Sequence, residues 1–349
     1  MQRFRLVGKL SGGTGNQLFE IFALMNVAFE LNKYTHLNAL QLPFQFTDNY
    51  ERVRAINWNS LLEVLKENRY SASSVTNETN ANAVVEVYKE PTHSYSDLIS
   101  FVRSKVETNT QLTKTNQPLV LFFDGYFQSA KYFENNFEDI LEYLQFPAKM
   151  QQVRRKLTTF CLLPSFLHLN RNRNLKETDT VFFEKAIGMH FRLGDYKLLP
   201  NYHPVMNVQY YVDAIRAIVQ KDPSMEYVFF THETEDTDTV MQRVHLLKTI
   251  LNEQEPKLVT SHGRELQFVS LPEQQARVNY RLEDWEEMFA LSFCCHQIIP
   301  NSTFSWWAAY LNPNPSKIVC YPSKWFGQNL SYLETKDLCP DTWTKIMCE

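Results

Sequence analysis

The stretch GMHFRLGDY, residues 188–196, places three chemically active side chains at the end of an apolar run. Apolar Met189 and Phe191 alternate with polar His190 and Arg192, which is the period of two expected of a β-strand. Gly194 ends the run. Arg192 is a fixed cation that could neutralise a phosphate through paired hydrogen bonds. His190, on the same strand face, could contact a base or a phosphate. Asp195 could act as a general base or orient Arg192, and an ordinary ion pair at a strand end is the alternative to a functional site.

Two other junctions between a strand and a helix could bind an anion. In GGTGNQ, residues 12–17, glycines bring backbone N–H groups to a helix start, where an anion is favoured. A tight turn that needs glycine is the alternative. In NSTFSWW, residues 301–307, hydroxyl groups at a helix start either cap the helix or face a phosphate, and the two tryptophans are expected in the core.

The stretch EDTDT, residues 235–239, contains a D-x-D pattern that could hold a divalent metal ion. It also stands at a predicted helix start, where acidic side chains interact favourably with the helix dipole. We favour the second interpretation and predict no metal site. His232 and Glu233 end the preceding strand and are kept as possible site residues.

The elements that must position these residues alternate between strands and helices. In the first half, strands are predicted at 5–10 and 118–124, and a helix at 18–32. The second half is more regular, with strands at 186–192, 226–231, 266–270, 297–300 and 317–322, and helices at 207–221, 236–251, 282–295 and 302–312. This alternation indicates an α/β fold with doubly wound parallel sheets.

The bulk properties limit the class of protein. A chain of 349 residues favours two domains, and the polar segment 169–180 suggests a boundary between 1–175 and 176–349. A net charge of -4 and a pI near 6.2 give no reason to expect a nucleic acid or an anionic membrane as partner. The six cysteines form no C-x-x-C pair, which is typical of reduced thiols. No apolar stretch is long enough for a signal peptide or a membrane span, so a soluble cytoplasmic protein is expected.

These motifs, in this order, resemble the α-1,2-fucosyltransferases of glycosyltransferase family 11. The matching segments are GGTGNQLFEIF, FDGYFQSAKYF, HFRLGDY, YYVDAI, EEMFALSFCCHQIIPNSTFSWWAAYLNP and KIVCYPSKWF. The resemblance implies a GT-B architecture, in which two Rossmann-like domains face a cleft, the first on the acceptor side and the second binding GDP-β-L-fucose. It also implies inversion at the anomeric carbon, no metal or other cofactor, and a glycan acceptor, with O-2 of a terminal galactose as the expected position.

The resemblance implies roles for individual residues as well. His190 and Arg192 fall on an H-x-R motif that contacts the nucleotide and the pyrophosphate, while the hydroxyls of residues 302–305 bind phosphate from its other side. Glu287 stands where the family more often has aspartate and is a candidate for reading the guanine N–H edge. The candidate catalytic residues are Arg192, Asp195 and His190. The candidate substrate-binding residues are Gly13, Gly15, Asn16, Gln17, Glu287, Asn301, Ser302, Thr303, Phe304 and Ser305.

The chain also departs from the family pattern. Leu193 replaces a second arginine, and FTHE, residues 230–233, replaces a Ser-Asp-Asp-like stretch. The missing membrane anchor points to a bacterial-type or viral-type enzyme or to a truncated chain. His190 and Glu233 are alternatives to Asp195 as general base. Two other functions stay open: a fucosyltransferase of another linkage, acceptor or GDP-sugar, and a GDP-sugar-binding protein that has lost turnover.

Overall fold

A computed structural model of the chain describes residues 4–35, 44–48, 56–70, 83–112, 119–160, 181–254 and 265–348. The chain divides into two compact units. The N-terminal unit comprises Met1–Pro147 and Leu333–Pro340, and the C-terminal unit comprises Ala148–Tyr332 and Asp341–Glu349. Within the described ranges, no helix combines the length and apolar character that a membrane-spanning segment requires.

The N-terminal unit is built on a five-stranded parallel sheet. Its strands are β1 (Phe4–Leu10), β2 (Phe44–Asp48), β3 (Arg69–Tyr70), β4 (Val84–Lys89) and β5 (Leu119–Asp124). Its helices are α1 (Thr14–Thr35), α2 (Leu98–Leu112) and α3 (Phe137–Tyr143). The spatial strand order is β3-β2-β1-β5-β4, so β1 lies at the centre of the sheet between β2 and β5. Helix α1 is buried along most of its length, and its buried side chains include the polar residues Glu20, Asn26 and Asn32.

The C-terminal unit is built on a six-stranded parallel sheet. Its strands are β6 (Ala186–Phe191), β7 (Tyr227–His232), β8 (Gln267–Ser270), β9 (His296–Ile298), β10 (Val319–Pro322) and β11 (Thr344–Ile346). Its helices are α4 (Phe146–Thr159, starting at the unit boundary), α5 (Val208–Lys221), α6 (Thr237–Gln254), α7 (Leu271–Val278), α8 (Asp284–Ser292) and α9 (Thr303–Tyr310). The order β11-β10-β9-β6-β7-β8 is that of the Rossmann fold, whose topological switch point here lies between β6 and β9.

Strand β6 is the central element of the C-terminal unit and is buried along its whole length. Ile187, Met189 and Phe191 lie in the main hydrophobic core. The opposite face is covered too: a Cβ on Gly188 would lie 2.6 Å from the Gln297 side-chain oxygen, so a larger residue there would require the Gln297 side chain to move. Burial on both faces is usual for parallel strands covered by helices.

The two-domain α/β prediction is confirmed, but the units divide between Pro147 and Ala148 and not at 175/176. The boundary lies there because α4 packs within the C-terminal unit. Lys156 forms an ion pair with buried Glu286, and Phe160, just after α4, stacks on Tyr280 with the ring centroids 3.6 Å apart. The polar segment 169–180, predicted to mark the domain boundary, lies outside the described residues.

The return of residues 333–340 to the N-terminal unit was not predicted. Asp337 accepts hydrogen bonds from the Lys131 ammonium, at 2.5 Å, and from the Tyr95 backbone N–H, at 3.1 Å. These contacts join residue 337 to two connecting segments of the N-terminal unit. Cys294, Cys295, Cys320 and Cys348 carry free thiols.

Candidate active site

The predicted site residues of the C-terminal unit gather at its topological switch point. In open parallel sheets, ligands bind outside the carboxyl ends of the strands where the strand order reverses. Arg192 follows β6, and the segment 301–305 follows β9, the two strands that flank this point. A hydrogen bond of 2.6 Å between His190 Nδ1 and Ser305 Oγ links the two segments directly.

His190 is buried, with 5% of the residue exposed. Burial, the Arg192 charge and His232 lower the pKa of His190 to about 3. Its imidazole is therefore neutral at physiological pH and can donate or accept a hydrogen bond without adding positive charge. The ring lies against Phe304, with a centroid distance of 5.2 Å. Positive charge at this position must come from Arg192.

The Arg192 side chain is 10% exposed and is held from three sides. Its Nη2 contacts the Asp195 carboxylate, and its Nη1 contacts the Glu233 carboxylate. Its guanidinium carbon lies 4.7 Å from the centroid of the Tyr196 ring, a cation–π distance. The geometry thus contains the ion pair between Asp195 and Arg192, and a role of Asp195 in proton transfer stays a prediction.

A short 3₁₀ turn, Gly194–Leu198, carries Asp195 and Tyr196. Gly194 has a φ of 36°, a left-handed value that favours glycine. Its N–H donates to buried Asp236 at 2.8 Å, and Lys197 forms an ion pair with the other Asp236 oxygen. Asp236, the first aspartate of the D-x-D pattern, therefore anchors the turn beside Arg192.

Replacing Asp236 with asparagine is expected to lower the free energy of unfolding by about 1–2 kcal/mol at neutral pH, because Lys197 is half exposed and can be rehydrated. Burial pushes the pKa of Asp236 up, but hydrogen bonds from Lys197 and Gly194 hold it below its usual value. This stabilisation is therefore present above pH about 4 and is lost as the pH falls through the lowered pKa. Urea unfolding from pH 3 to 7 measures the effect. The exposed Asp238→Asn is the control, and equal losses in both variants at neutral pH would contradict the anchoring role.

The amino end of α9 keeps polar groups that its own helix does not use. Ser302 occupies the N-cap position, yet its side chain makes no capping hydrogen bond. Asn301 donates to the Trp325 carbonyl at 2.9 Å, while its own side-chain oxygen is buried and has no hydrogen-bond partner. The capping alternative therefore does not account for Ser302. The first-turn N–H groups of a helix provide a favourable place for an anion.

Glu287 lies inside the amino-terminal half of α8 and is held by two donors. Thr231 Oγ1 donates to it at 2.5 Å and Gln275 Nε2 at 2.7 Å. Burial raises the pKa of Glu287, and these hydrogen bonds oppose the rise. Each carboxylate oxygen has a second lone pair, so the group can still accept N–H donors such as those of a purine edge.

Leu193, the position that departs from the family pattern, is 1% exposed and lies in the hydrophobic core. A charged side chain in the same orientation would be buried without water. The apolar residue is therefore consistent with the packing of this turn.

The candidates of the first motif lie in the N-terminal unit, after the carboxyl end of the central strand β1. Helix α1 already begins at Thr14, so Gly15, Asn16 and Gln17 belong to its first turn and Gly13 directly precedes it. Gln17 donates to the Gly12 carbonyl at 2.9 Å, and Gln128, after β5, donates to the Asn16 side-chain oxygen at 3.1 Å. Gly12 has a φ of 70°, so the tight-turn interpretation holds for that glycine.

One group of three potential metal ligands occurs among the described residues: Asp222, Cys295 and His296. It lies at the start of β9, at the sheet edge opposite to Arg192. His296 Nδ1 accepts from the Ile318 N–H at 3.0 Å, and Nε2 is 3.0 Å from the Asp222 carboxylate. A neutral imidazole in this arrangement uses its one lone pair on the backbone and its one N–H on the carboxylate. Both ring nitrogens are therefore engaged in holding the strand start.

The sequence did not single out Tyr196, Thr231 or Gln275, and it gave no role to the pairing of Glu233 with Arg192. Thr231 and Glu233 stand at the carboxyl end of β7, next to β6 in the sheet. The signal that could have found them is this position, because polar residues at the ends of adjacent parallel strands meet at one edge.

Comparison with known proteins adds independent information. The sequence profile described as Glycosyl transferase family 11 matches residues 258–345. The O-antigen biosynthesis glycosyltransferase WbnK of Escherichia coli is 23% identical over 359 residues, covering 97% of this chain and 99% of the relative. An alpha-1,2-colitosyltransferase of Escherichia coli is 23% identical over 349 residues, covering 98% of each chain. A galactoside 2-alpha-L-fucosyltransferase of Caenorhabditis elegans is 25% identical over 312 residues, covering 86% of this chain and 66% of the relative.

The profile match includes Glu287 and the junction at 301–307, and the two bacterial relatives align with nearly the whole chain. The chain is therefore similar to glycosyltransferase family 11 in residues 258–345 and to two bacterial glycosyltransferases over nearly its whole length.

Proposed function

We propose that the chain transfers L-fucose from GDP-β-L-fucose to a glycan hydroxyl with inversion, and that O-2 of a terminal galactose is the acceptor position. The observation that carries the proposal is the arrangement of Arg192 and the amino end of α9 on either side of the Rossmann switch point, joined through the hydrogen bond from His190 to Ser305. Switch points of this kind bind nucleotides.

The leaving group sets the chemical demand on this site. As the bond between fucose and phosphate breaks, GDP gains negative charge. An arginine and a helix amino terminus can stabilise this charge without a metal ion, since both present preorganised N–H donors. Arg192 takes this role in the proposal, with Ser302, Thr303 and the α9 N–H groups on the other side of the diphosphate. His190, being neutral, supplies a hydrogen bond and no charge.

Glu287 is proposed to read the guanine base. A carboxylate that accepts from two neighbouring N–H groups distinguishes guanine from bases that lack this edge. Its fixed position between Thr231 and Gln275 supports the assignment, because a preorganised acceptor loses little entropy on binding. Gly13, Gly15, Asn16 and Gln17 of the N-terminal unit are proposed to contribute to substrate binding from that unit.

A second candidate function is transfer to the same acceptor position from a GDP-sugar other than GDP-fucose. The relative named alpha-1,2-colitosyltransferase aligns with 98% of this chain at an identity close to that of the relative named galactoside 2-alpha-L-fucosyltransferase. The proposed contacts to base and diphosphate are the same for any GDP-sugar. The donor sugar and the acceptor must therefore be decided by measurement.

The test measures GDP release from GDP-fucose with EDTA present, against a panel of terminal galactosides, and reads the linkage of any product by NMR. We expect release that requires a galactoside, is unchanged by EDTA and yields an α-1,2 product. Transfer only from another GDP-sugar would favour the second candidate. GDP binding without any turnover would favour a binding protein, and loss of activity with EDTA would contradict the metal-independent role of Arg192.

A further inference from the structure

The two carboxylates that hold Arg192 differ in their surroundings. Asp195 sits three residues along the same turn, and its side chain is 47% exposed. Glu233 follows β7, on the neighbouring strand, and its side chain is 27% exposed. Together the three groups carry a formal charge of −1. A diphosphate that needs the guanidinium must therefore compete with at least one carboxylate.

Glu233 is the carboxylate with an incomplete set of contacts. Its Oε1 contacts Arg192, whereas its Oε2 is buried and has no hydrogen-bond partner. A buried carboxylate oxygen without a donor is costly, so this oxygen is suited to accept a further hydrogen bond. The donor that suits this oxygen is an O–H or N–H group.

Glu233 is also the carboxylate that can leave Arg192 without backbone movement. Its backbone is fixed, since its carbonyl lies 2.9 Å from His232 Nδ1 and accepts a hydrogen bond from the Asp236 N–H at 2.9 Å. Its long side chain can rotate about three bonds. Asp195 has a short side chain on a turn that Asp236 anchors, so it stays beside the guanidinium.

We infer that Glu233 holds Arg192 until the donor diphosphate takes its place, and that the released carboxylate then accepts the proton of the acceptor hydroxyl. The inference rests on the proposed function and assigns the general base of that reaction. It makes Asp195 the residue that orients Arg192, and Glu233 a catalytic residue that contacts the acceptor.

The transfer step balances as follows. An oxygen lone pair of the acceptor hydroxyl forms the new bond to the fucose anomeric carbon. The bond from that carbon to the phosphate oxygen breaks, and its electron pair leaves with GDP. The hydroxyl proton moves to Glu233 Oε2. Because the carboxylate has lost its cation and lies near the phosphate charge, its basicity increases when the donor is in place.

The test is Glu233→Gln, which keeps the shape of the side chain and removes its charge and basicity. GDP affinity is measured by calorimetry without acceptor, and kcat is measured at saturating GDP-fucose. We expect GDP to bind three- to tenfold tighter and kcat to fall about 10²–10⁴-fold. Opposite changes in binding and turnover are not expected of a residue that only supports the fold. Glu235→Gln, the same change at an exposed position two residues away, is expected to alter neither value.

Weaker GDP binding by Glu233→Gln, or a kcat within tenfold of wild type, would overturn the inference while leaving the proposed function intact. A wild-type chain that neither binds GDP nor transfers fucose would remove the proposed function and this inference together. If Glu233→Gln does not fold, Glu233→Asp tests the same point. The shorter carboxylate should still release Arg192, so that GDP binds tighter, and should keep more turnover than an amide; weaker GDP binding by this variant would overturn the inference.

Discussion

Replacing Arg192 with lysine is expected to lower kcat/KM for GDP-fucose by about 10²–10³-fold, which is comparable to the loss of one oxyanion donor in other enzymes. Lysine keeps the charge, but its ammonium is a compact point charge and cannot present two nitrogens in a fixed plane. The Arg192 guanidinium uses both terminal nitrogens, and its face lies against Tyr196. The variant should also bind GDP more weakly in calorimetry.

Arg277→Lys is the matched control for this prediction. Arg277 is exposed in the last turn of α7, so the same substitution should leave kcat/KM unchanged. A value for Arg192→Lys within threefold of wild type would show that charge alone is sufficient. The proposal that Arg192 makes a planar, paired contact to the diphosphate would then be wrong.

Replacing Trp306 with alanine is expected to lower the free energy of unfolding of the C-terminal unit by about 3–5 kcal/mol. Trp306 is fully buried in α9, stacked on Tyr310 with a centroid distance of 4.6 Å and packed against Trp343 at 5.5 Å. A smaller side chain would leave a cavity beside the helix that presents Ser302. Differential scanning calorimetry should show a midpoint lower by on the order of 10 °C for this unit.

Trp306→Phe provides the comparison, because it retains an aromatic ring in the same space and should lose less than half as much stability. GDP affinity should fall in Trp306→Ala at temperatures where the unit is still folded, since the start of α9 is no longer fixed. Unchanged stability in the alanine variant would mean that the residue does not support the helix.

The sequence predicted the central strands and the site segments of the C-terminal unit because each junction has a strong local signal. An apolar run of strand length ends in polar residues or glycine at Arg192 and at Asn301, and both runs are strands within two residues of the predicted bounds. Trp306 and Trp307 were predicted as core residues and are fully buried, which confirms that prediction.

The missed elements have weak local signals. Strands β2, β3 and β11 have two to five residues each, which is too short for alternation to be read. Strand β4 and helix α2 lie in a polar region, where side-chain character follows exposure more than element type. Helix α7 was missed between β8 and α8, although Ser270 caps it and proline occupies its first turn.

The contacts of the site could not be predicted, because they depend on strand order. Glu233 meets Arg192 only since β7 lies beside β6, and His190 meets Ser305 only since β9 lies on the other side. Neither adjacency follows from the sequence alone. The neutral state of His190 likewise follows from burial on both faces of β6, which alternation along one strand does not reveal.

The return of Leu333–Pro340 to the N-terminal unit has a consequence for synthesis of the chain on the ribosome. The bonds from Lys131 and Tyr95 to Asp337 span 206 and 242 positions. The N-terminal unit therefore cannot complete these contacts until residue 337 has been translated, although domains commonly fold in order as they emerge. A nascent chain halted before residue 333 should accordingly expose the N-terminal unit to proteases more than the finished protein does.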